Sequence, residues 1–158
     1  MGVSAVGKTS VGVALANRLN ARFVDADDLH SAFNVAKMTG GEPLTDCDRG
    51  PWLEAVATAL RAPGSVVVAC SALKRSYRDQ LRGNDGIEIS FILLDAPRPV
   101  LVRRIEARTE HFMPPRLLDD QLATLERPGA DESDVVLVLA TGPLDTVTQA
   151  AAASLEVN

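Results

Sequence analysis

Eight residues near the start of the chain have the types and spacing needed to hold phosphate groups. They follow the pattern Gly-x-x-x-x-Gly-Lys-Thr and are Gly2, Val3, Ser4, Ala5, Val6, Gly7, Lys8 and Thr9. The glycines let the backbone bend so that its N–H groups converge on phosphate oxygens, and the helix predicted from Lys8 onward adds a partly positive N-terminus. Lys8 would reach the β- and γ-phosphates of ATP, and the Thr9 hydroxyl would be a ligand of Mg²⁺. A chance glycine turn is the alternative, which the helical pattern after it disfavours.

Two aspartates supply the next candidates for chemistry. Asp25 and Asp27 follow a short β-branched run, and ligands collect beyond the carboxyl ends of strands in open α/β sheets. Phosphoryl transfer needs one carboxylate near the metal, which suits Asp25, and another near the acceptor hydroxyl, which suits Asp27. No acidic residue follows the run "VVVAC", which adds weight to Asp25. The alternative is that these acids cap the next helix, and for Asp28 we prefer that interpretation.

The elements that must position these residues alternate along the chain. Short β-branched runs predict strands, and amphipathic segments predict helices between them. Two of the runs are nearly continuous apolar stretches, as in strands covered on both faces. The strand candidates are 22–25, 65–70, 87–94 and 134–140, and the helix candidates are 8–20, 51–62, 74–82, 99–108, 116–126 and 144–155. This alternation predicts an α/β fold with a parallel sheet between two helical layers.

Composition excludes several classes of protein. The chain has 158 residues, enough for one domain, and its net charge of −5 disfavours nucleic acid or an anionic membrane as a partner. Cys47 and Cys70 are its only cysteines and lie in no metal-binding pattern. A reducing, cytoplasmic location is therefore expected. Neither a membrane-spanning stretch nor a signal peptide is predicted.

Five stretches together resemble one family. "GVSAVGKTS", "DADDLH", "NVAKMTGGEPLTDCDRGPWL", "CSALKRSYRD" and "LERPGADE" occur in this order from residue 2 to about residue 134. They are similar to the bacterial-type gluconokinases, which are small P-loop kinases with a mobile lid and resemble shikimate kinase in fold. The resemblance implies a single domain over 1–158 with a three-layer P-loop NTPase fold, like that of the nucleoside monophosphate kinases. It places a helical lid at about 103–122.

The same resemblance implies the acceptor, D-gluconate, phosphorylated on its 6-hydroxyl by ATP with Mg²⁺. Arg49 can hold a carboxylate at two points, which a lysine cannot do. Further donors to the substrate are expected from His30, Lys37, Lys74 and Arg78. Each has a structural alternative: His30 can cap a helix, Lys37 can be solvated, and Arg78 can pair near Asp79 on the surface. Trp52 and Leu53 are expected in the core, and Cys70 as a buried thiol.

The lid candidate carries two arginines that could act on the transferred group. Arg104 and Arg108 are four residues apart and so share one helical face, whereas Arg103 points outward. Brought over the migrating phosphoryl group, they would stabilise its negative charge, although exposed arginines on a helix are commonly only solvated. His111 receives no chemical role. Asp120 stands where the family has a small hydroxyl residue.

The residue ahead of the phosphate loop raises one further expectation. In the resembling family an apolar strand leads into this loop, and Met1 matches the end of that strand. We therefore expect that the chain as written lacks the first strand and binds ATP poorly. The rival functions are another small-molecule kinase of shikimate or nucleoside monophosphate type, and a non-catalytic nucleotide-binding domain. The resemblance also makes a homodimer plausible.

Overall fold

The computed structural model describes residues 1–107 and 115–156 and contains four strands and seven α-helices there. The strands are β1 (Arg22–Asp25), β2 (Val66–Ala69), β3 (Phe91–Asp95) and β4 (Val135–Leu139). The helices are α1 (Lys8–Leu19), α2 (Ala32–Thr39), α3 (Asp46–Leu60), α4 (Arg75–Arg82), α5 (Arg98–Glu106), α6 (Pro115–Thr124) and α7 (Leu144–Leu155). A 3₁₀ turn, Ala26–Leu29, follows β1. Within these residues no helix is long and apolar enough to cross a membrane.

The strands form two parallel pairs with helices around them. β1 pairs with β2 from Arg22 opposite Val66 onward, and β3 pairs with β4 from Phe91 opposite Val135 onward. The α/β class and the parallel strands are confirmed. The expected single sheet is replaced, in the described part of the chain, by two sheets of two strands each.

Met1 and Gly2 bridge the two sheets by hydrogen bonds near the carboxyl end of β2. The Met1 α-amino group donates to the Ile92 carbonyl, Leu94 N–H donates to the Met1 carbonyl at 2.9 Å, and Gly2 N–H donates to the Ser71 carbonyl at 3.1 Å. Burial lowers the pKa of the Met1 amine to about 5. Behind Met1 a cavity of about 400 Å³ separates β2 from β3. Across this cavity β2 and β3 are not paired with each other, so the two sheets of the described residues do not join.

Each sheet has its own hydrophobic core. The first core lies around the phosphate loop, β3 and β4, and includes Val6, Leu101 and Leu118, which are almost fully buried. The second lies around β1, β2, α3 and α4, and includes Leu53 and Leu81. Trp52 and Leu53, expected in the core from the sequence, are 4% and 1% exposed.

Capping explains where the helix boundaries differ from the prediction. α3 begins at Asp46, five residues before the expected start, because the Thr45 side chain and Asp48 form a reciprocal capping box. α2 was not predicted, and the Ser31 hydroxyl accepts from Asn34 N–H at its start. The cap assigned to Asp28 is therefore wrong.

Candidate active site

The phosphate loop is shaped by glycines and anchored by its apolar side chains. Gly2 has φ +135° and Gly7 has φ +105°, values that residues with a Cβ rarely adopt. A Cβ at Gly2 would also lie 2.6 Å from the Leu94 carbonyl oxygen. Val3 and Val6 are buried in the first core, which fixes the loop against β3. The loop thus has the conformation that lets consecutive N–H groups face an anion.

Thr9 and Asp25 meet at the N-terminus of α1. The Thr9 hydroxyl donates to Asp25 Oδ2 at 2.8 Å, and Asp25 Oδ1 accepts from Asp27 N–H at 3.1 Å. A hydroxyl and a carboxylate are the hard oxygen donors that Mg²⁺ prefers. No cluster of three or more His, Cys, Asp or Glu suited to a metal occurs in residues 1–107 and 115–156. The pair therefore fits Mg²⁺ whose other ligands are phosphate oxygens and water.

Asp27 lies on the 3₁₀ turn after β1, and Trp52 holds this turn in place. Trp52 is buried and its Nε1–H donates to the Ala26 carbonyl at 2.7 Å. The His30 ring stacks on Trp52 with centroids 4.5 Å apart. Desolvation lowers the pKa of His30, against the opposing effect of Asp27. The exposed Asp27 carboxylate is thereby carried on a well-supported turn.

Asp46 brings together two cationic residues, Arg49 and Lys74, which we call the cationic wall. Lys74 Nζ donates to both Asp46 oxygens at 2.8 and 2.9 Å, the Tyr77 hydroxyl donates to the same carboxylate, and Arg49 Nη1 lies 3.8 Å away. The bonds from Lys74 and then Tyr77 lower the pKa of Asp46. Arg49 also donates to the Leu44 carbonyl. The structure thus brings together Arg49 and Lys74, two of the residues expected to contact the substrate.

Lys37 is held by an acid rather than solvated. Its Nζ donates to Asp48 Oδ2 at 2.9 Å. The Lys37 ammonium and the Thr45 backbone and hydroxyl lower the pKa of Asp48 to about 2. Lys37 therefore ties α2 to the N-terminus of α3, next to Arg49.

Arg78 is placed differently from the prediction. Its guanidinium is fully buried, and Nε and Nη2 donate to the Glu132 carboxylate at 2.7 and 2.6 Å. Nη1 faces three carbonyl oxygens, those of Ala72, Leu73 and Glu126. Because its donors are engaged in this way, Arg78 does not belong to the cationic wall. It does not form the surface pair near Asp79 that was the alternative either. It clamps the loop that carries Lys74 to the "LERPGADE" segment.

Arg104 contacts backbone carbonyl groups of the phosphate loop. Its Nη1 faces the Ala5 and Val6 carbonyls at 3.4 and 3.2 Å, and Nη2 donates to the Ala140 carbonyl at 2.7 Å. It lines a cavity of about 290 Å³ with Val6, Ser10, Gly142 and Leu144. Residues 140–147 were not singled out as site residues from the sequence, and four of them line this cavity: Ala140, Gly142, Leu144 and Val147. Arg108 and His111 lie outside the described residues.

Comparison with known proteins agrees with the P-loop fold and the phosphate loop described above. A family profile described as an AAA domain matches residues 1–128. The chain is 52% identical over 136 residues to a gluconokinase of Gluconobacter oxydans, a match that covers 84% of this chain and 76% of that protein. It belongs to the gluconokinase family. A crystal structure of a gluconokinase from Sinorhizobium meliloti 1021 has a TM-score of 0.91 and 46% identity, covering 99% of this chain and 89% of that one.

The wider likeness of this gluconokinase family member is one of fold. Shikimate kinase from Aquifex aeolicus matches with a TM-score of 0.61 at 18% identity, over 100% of this chain and 94% of that one. At such identity the likeness speaks for the P-loop kinase fold alone. The gluconokinase resemblance and the P-loop kinase fold, both expected from the sequence, are confirmed.

Proposed function

We propose that the protein phosphorylates D-gluconate on its 6-hydroxyl, using ATP and Mg²⁺. One observation carries the proposal: the Thr9–Asp25 hydrogen bond joins the phosphate loop to the turn bearing Asp27. Arg49 and Lys74, both close to Asp46, add two cations to the proposed site. A site that combines a triphosphate loop, a carboxylate and paired cations suits an acidic acceptor with a hydroxyl group. Membership of the gluconokinase family supports the same acceptor.

ATP would bind along the phosphate loop, with its base in the cavity beside Arg104. Residues 2–9 would hold the phosphates through backbone N–H groups, and Lys8 would contact the β- and γ-phosphates. Lys8 Nζ lies 3.1 Å from the Val3 carbonyl in the structure, within reach of the loop's concave side. Thr9 and Asp25 would hold Mg²⁺, which when bound neutralises charge on the β- and γ-phosphates.

Gluconate would bind with its carboxylate toward Arg49 and Lys74, and its far hydroxyl toward Asp27. His30, stacked on Trp52, can exchange hydrogen bonds with a sugar hydroxyl. Lys37, which is paired with Asp48, would contribute positive charge near the substrate. The 6-oxygen attacks the γ-phosphorus, the bond to the β–γ bridging oxygen breaks, and ADP leaves. The hydroxyl proton passes to the Asp27 carboxylate.

The segment 103–122 would act as the lid. Arg104 already contacts the carbonyl side of the loop, and closure would bring Arg108 toward the migrating group. Closure would also exclude water, which limits hydrolysis of ATP. A homodimer stays a prediction.

A substrate panel tests the function. The protein is incubated with ATP and Mg²⁺ plus D-gluconate, shikimate, AMP or no acceptor, and ADP release is measured with direct detection of 6-phosphogluconate. We expect ADP and 6-phosphogluconate in equal amounts with gluconate, and little ADP otherwise. ADP release with shikimate or AMP alone would assign a different kinase. Equal ADP release with and without any acceptor would reduce the protein to an ATPase.

A further inference from the structure

A side chain of α6 reaches into the phosphate loop. Gln121 Oε1 accepts a hydrogen bond from Ser4 N–H at 2.7 Å, across 117 residues of chain. Because the donor is a backbone N–H, the atom facing it must be the amide oxygen rather than the nitrogen. Ser4 belongs to the same loop whose N–H groups are expected to hold phosphate oxygens. This contact therefore occupies one of the loop's own donors.

The contact is supported by the packing of α6. Leu118 is fully buried in the first core with Val3 and Val6, so α6 rests on the phosphate loop. Gln121 lies three residues further on and shares that helical face. Arg98 of α5 donates to Asp119 at 2.6 and 2.9 Å, which ties α6 to the helix that carries Arg104. α6 is thus tied both to the phosphate loop and to the helix that carries Arg104.

We propose that Gln121 is a positioning residue that couples α6 to phosphate binding, an inference that rests on the proposed function. A phosphate oxygen that approaches Ser4 N–H displaces Gln121 Oε1, because one N–H makes one strong hydrogen bond. The primary amide has two donors besides its acceptor, so a rotation about its last torsion turns Nε2–H toward the arriving oxygen. Gln121 then changes from a competitor of the phosphate into a ligand of it. α6 stays engaged with the loop in both states.

Two substitutions separate the donor role of Gln121 from its acceptor role. Gln121→Glu keeps an acceptor for Ser4 N–H but lacks the donor and adds negative charge, so it should hold the loop and repel phosphate. Gln121→Ala removes both roles. The dissociation constant of the non-hydrolysable ATP analogue AMPPNP with Mg²⁺ is measured by calorimetry, and thermal unfolding reports folding. The matched control is Gln80→Glu, at an exposed position on α4.

We expect Gln121→Glu to raise the dissociation constant about tenfold, equivalent to about 1.4 kcal/mol. Gln121→Ala should raise it less than threefold, and Gln80→Glu should leave it unchanged. Melting temperature should not fall in Gln121→Glu, since its carboxylate still accepts from Ser4. Equal binding by Gln121→Glu and Gln121→Ala would overturn the proposal. If the unaltered protein did not bind AMPPNP, the nucleotide site itself would be wrong.

A measurement on the unaltered protein gives an independent test. In ¹⁵N-labelled protein, AMPPNP should shift both the Ser4 backbone N–H resonance and the Gln121 side-chain amide resonances. The Gln121 amide protons should also exchange more slowly with water once they donate to phosphate. A shift at Ser4 with unchanged Gln121 resonances would overturn the proposal even if a variant failed to fold.

Discussion

On the phosphate side of the proposed site, residues 2–9 are expected to hold phosphate through backbone N–H groups, with side-chain contacts from Lys8 and Thr9. Two glycines with positive φ set the direction of this loop. On the acceptor side, the proposed ligands are side chains from the 3₁₀ turn, α2, α3 and the start of α4, and ion pairs such as Asp46–Lys74 and Asp48–Lys37 hold some of them. The first side tolerates changes of side chain better than changes of backbone. The second depends on charges whose partners lie far away in sequence, so we expect the two sides to fail in different ways.

The largest effect is expected at Asp27. Asp27→Asn removes the proposed proton acceptor while keeping its shape, and general bases contribute roughly 10²–10⁴-fold to rate. We expect kcat with gluconate to fall by about that factor, measured by 6-phosphogluconate formation. AMPPNP binding should be unchanged because the phosphate side is untouched. Asp28→Asn, an exposed neighbour on the same turn, is the control and should keep its kcat. Near-normal turnover by Asp27→Asn would refute the assignment of the base.

Removing the buried Arg78 should lower the free energy of unfolding rather than remove a single contact with substrate. Arg78→Met leaves Glu132 buried without its main partner, and breaking such a pair costs about 3–5 kcal/mol. Denaturant unfolding at neutral pH measures the loss. The control is Arg75→Met on the same helix, whose pair with Asp131 is exposed and should contribute little. Similar losses in both variants would contradict the special role of burial.

The acidity of Glu132 adds a pH dependence to this comparison. Arg78, and then Arg82, lowers the pKa of Glu132 from its ordinary 4.5 to about 2. A lowered carboxyl pKa stabilises the fold above about pH 4.5, and this contribution is lost as the pH falls toward 2. The difference in unfolding free energy between the parent and Arg78→Met should therefore shrink over that interval.

The same division explains what could be predicted from the sequence. The phosphate loop is one contiguous motif, so its ligands and the helix from Lys8 were predicted together, and the Thr9–Asp25 pair followed from strand-end geometry. Arg78 was misplaced because its partner Glu132 is 54 residues away and nothing local distinguishes a buried arginine from a binding one. Tyr77 and Asp46 were missed as a pair for the same reason. The start of α3 was missed because Pro51 suggested a first turn, whereas the capping box lies upstream.

The cavity between β2 and β3 lies behind Met1, where the phosphate loop begins. Filling it should stabilise both the phosphate side and the acceptor side. We expect a designed extension of five β-branched apolar residues ahead of Met1 to pair with both strands. Three or more new backbone hydrogen bonds at about 1 kcal/mol each would contribute about 3 kcal/mol. For a domain of this size that corresponds to a rise in melting temperature of roughly 6–12 °C. AMPPNP binding should tighten as well.

A Gly-Ser extension of equal length is the control for that experiment, because it adds chain without β propensity or apolar surface. Equal melting temperatures for the two extended proteins would show that the cavity does not accept a strand. The expectation that the first strand is missing stays a prediction until this comparison is made.

The smallest expected effect is the difference in stability between alanine substitutions at two glycines, Gly2 and Gly50. Gly2→Ala places a Cβ 2.6 Å from the Leu94 carbonyl oxygen at φ +135°, and such backbone strain costs about 1–3 kcal/mol. Gly50→Ala is the matched control: it lies inside α3 with no atom within 4 Å of the added Cβ, and should stabilise the protein by about 0.5–1 kcal/mol. Thermal unfolding of both variants gives the two signs. Because Gly2 opens the phosphate loop, its variant should also bind AMPPNP more weakly, whereas Gly50→Ala should bind it normally. Loss of stability in both variants, or in neither, would mean that backbone conformation does not distinguish the phosphate side from the acceptor side.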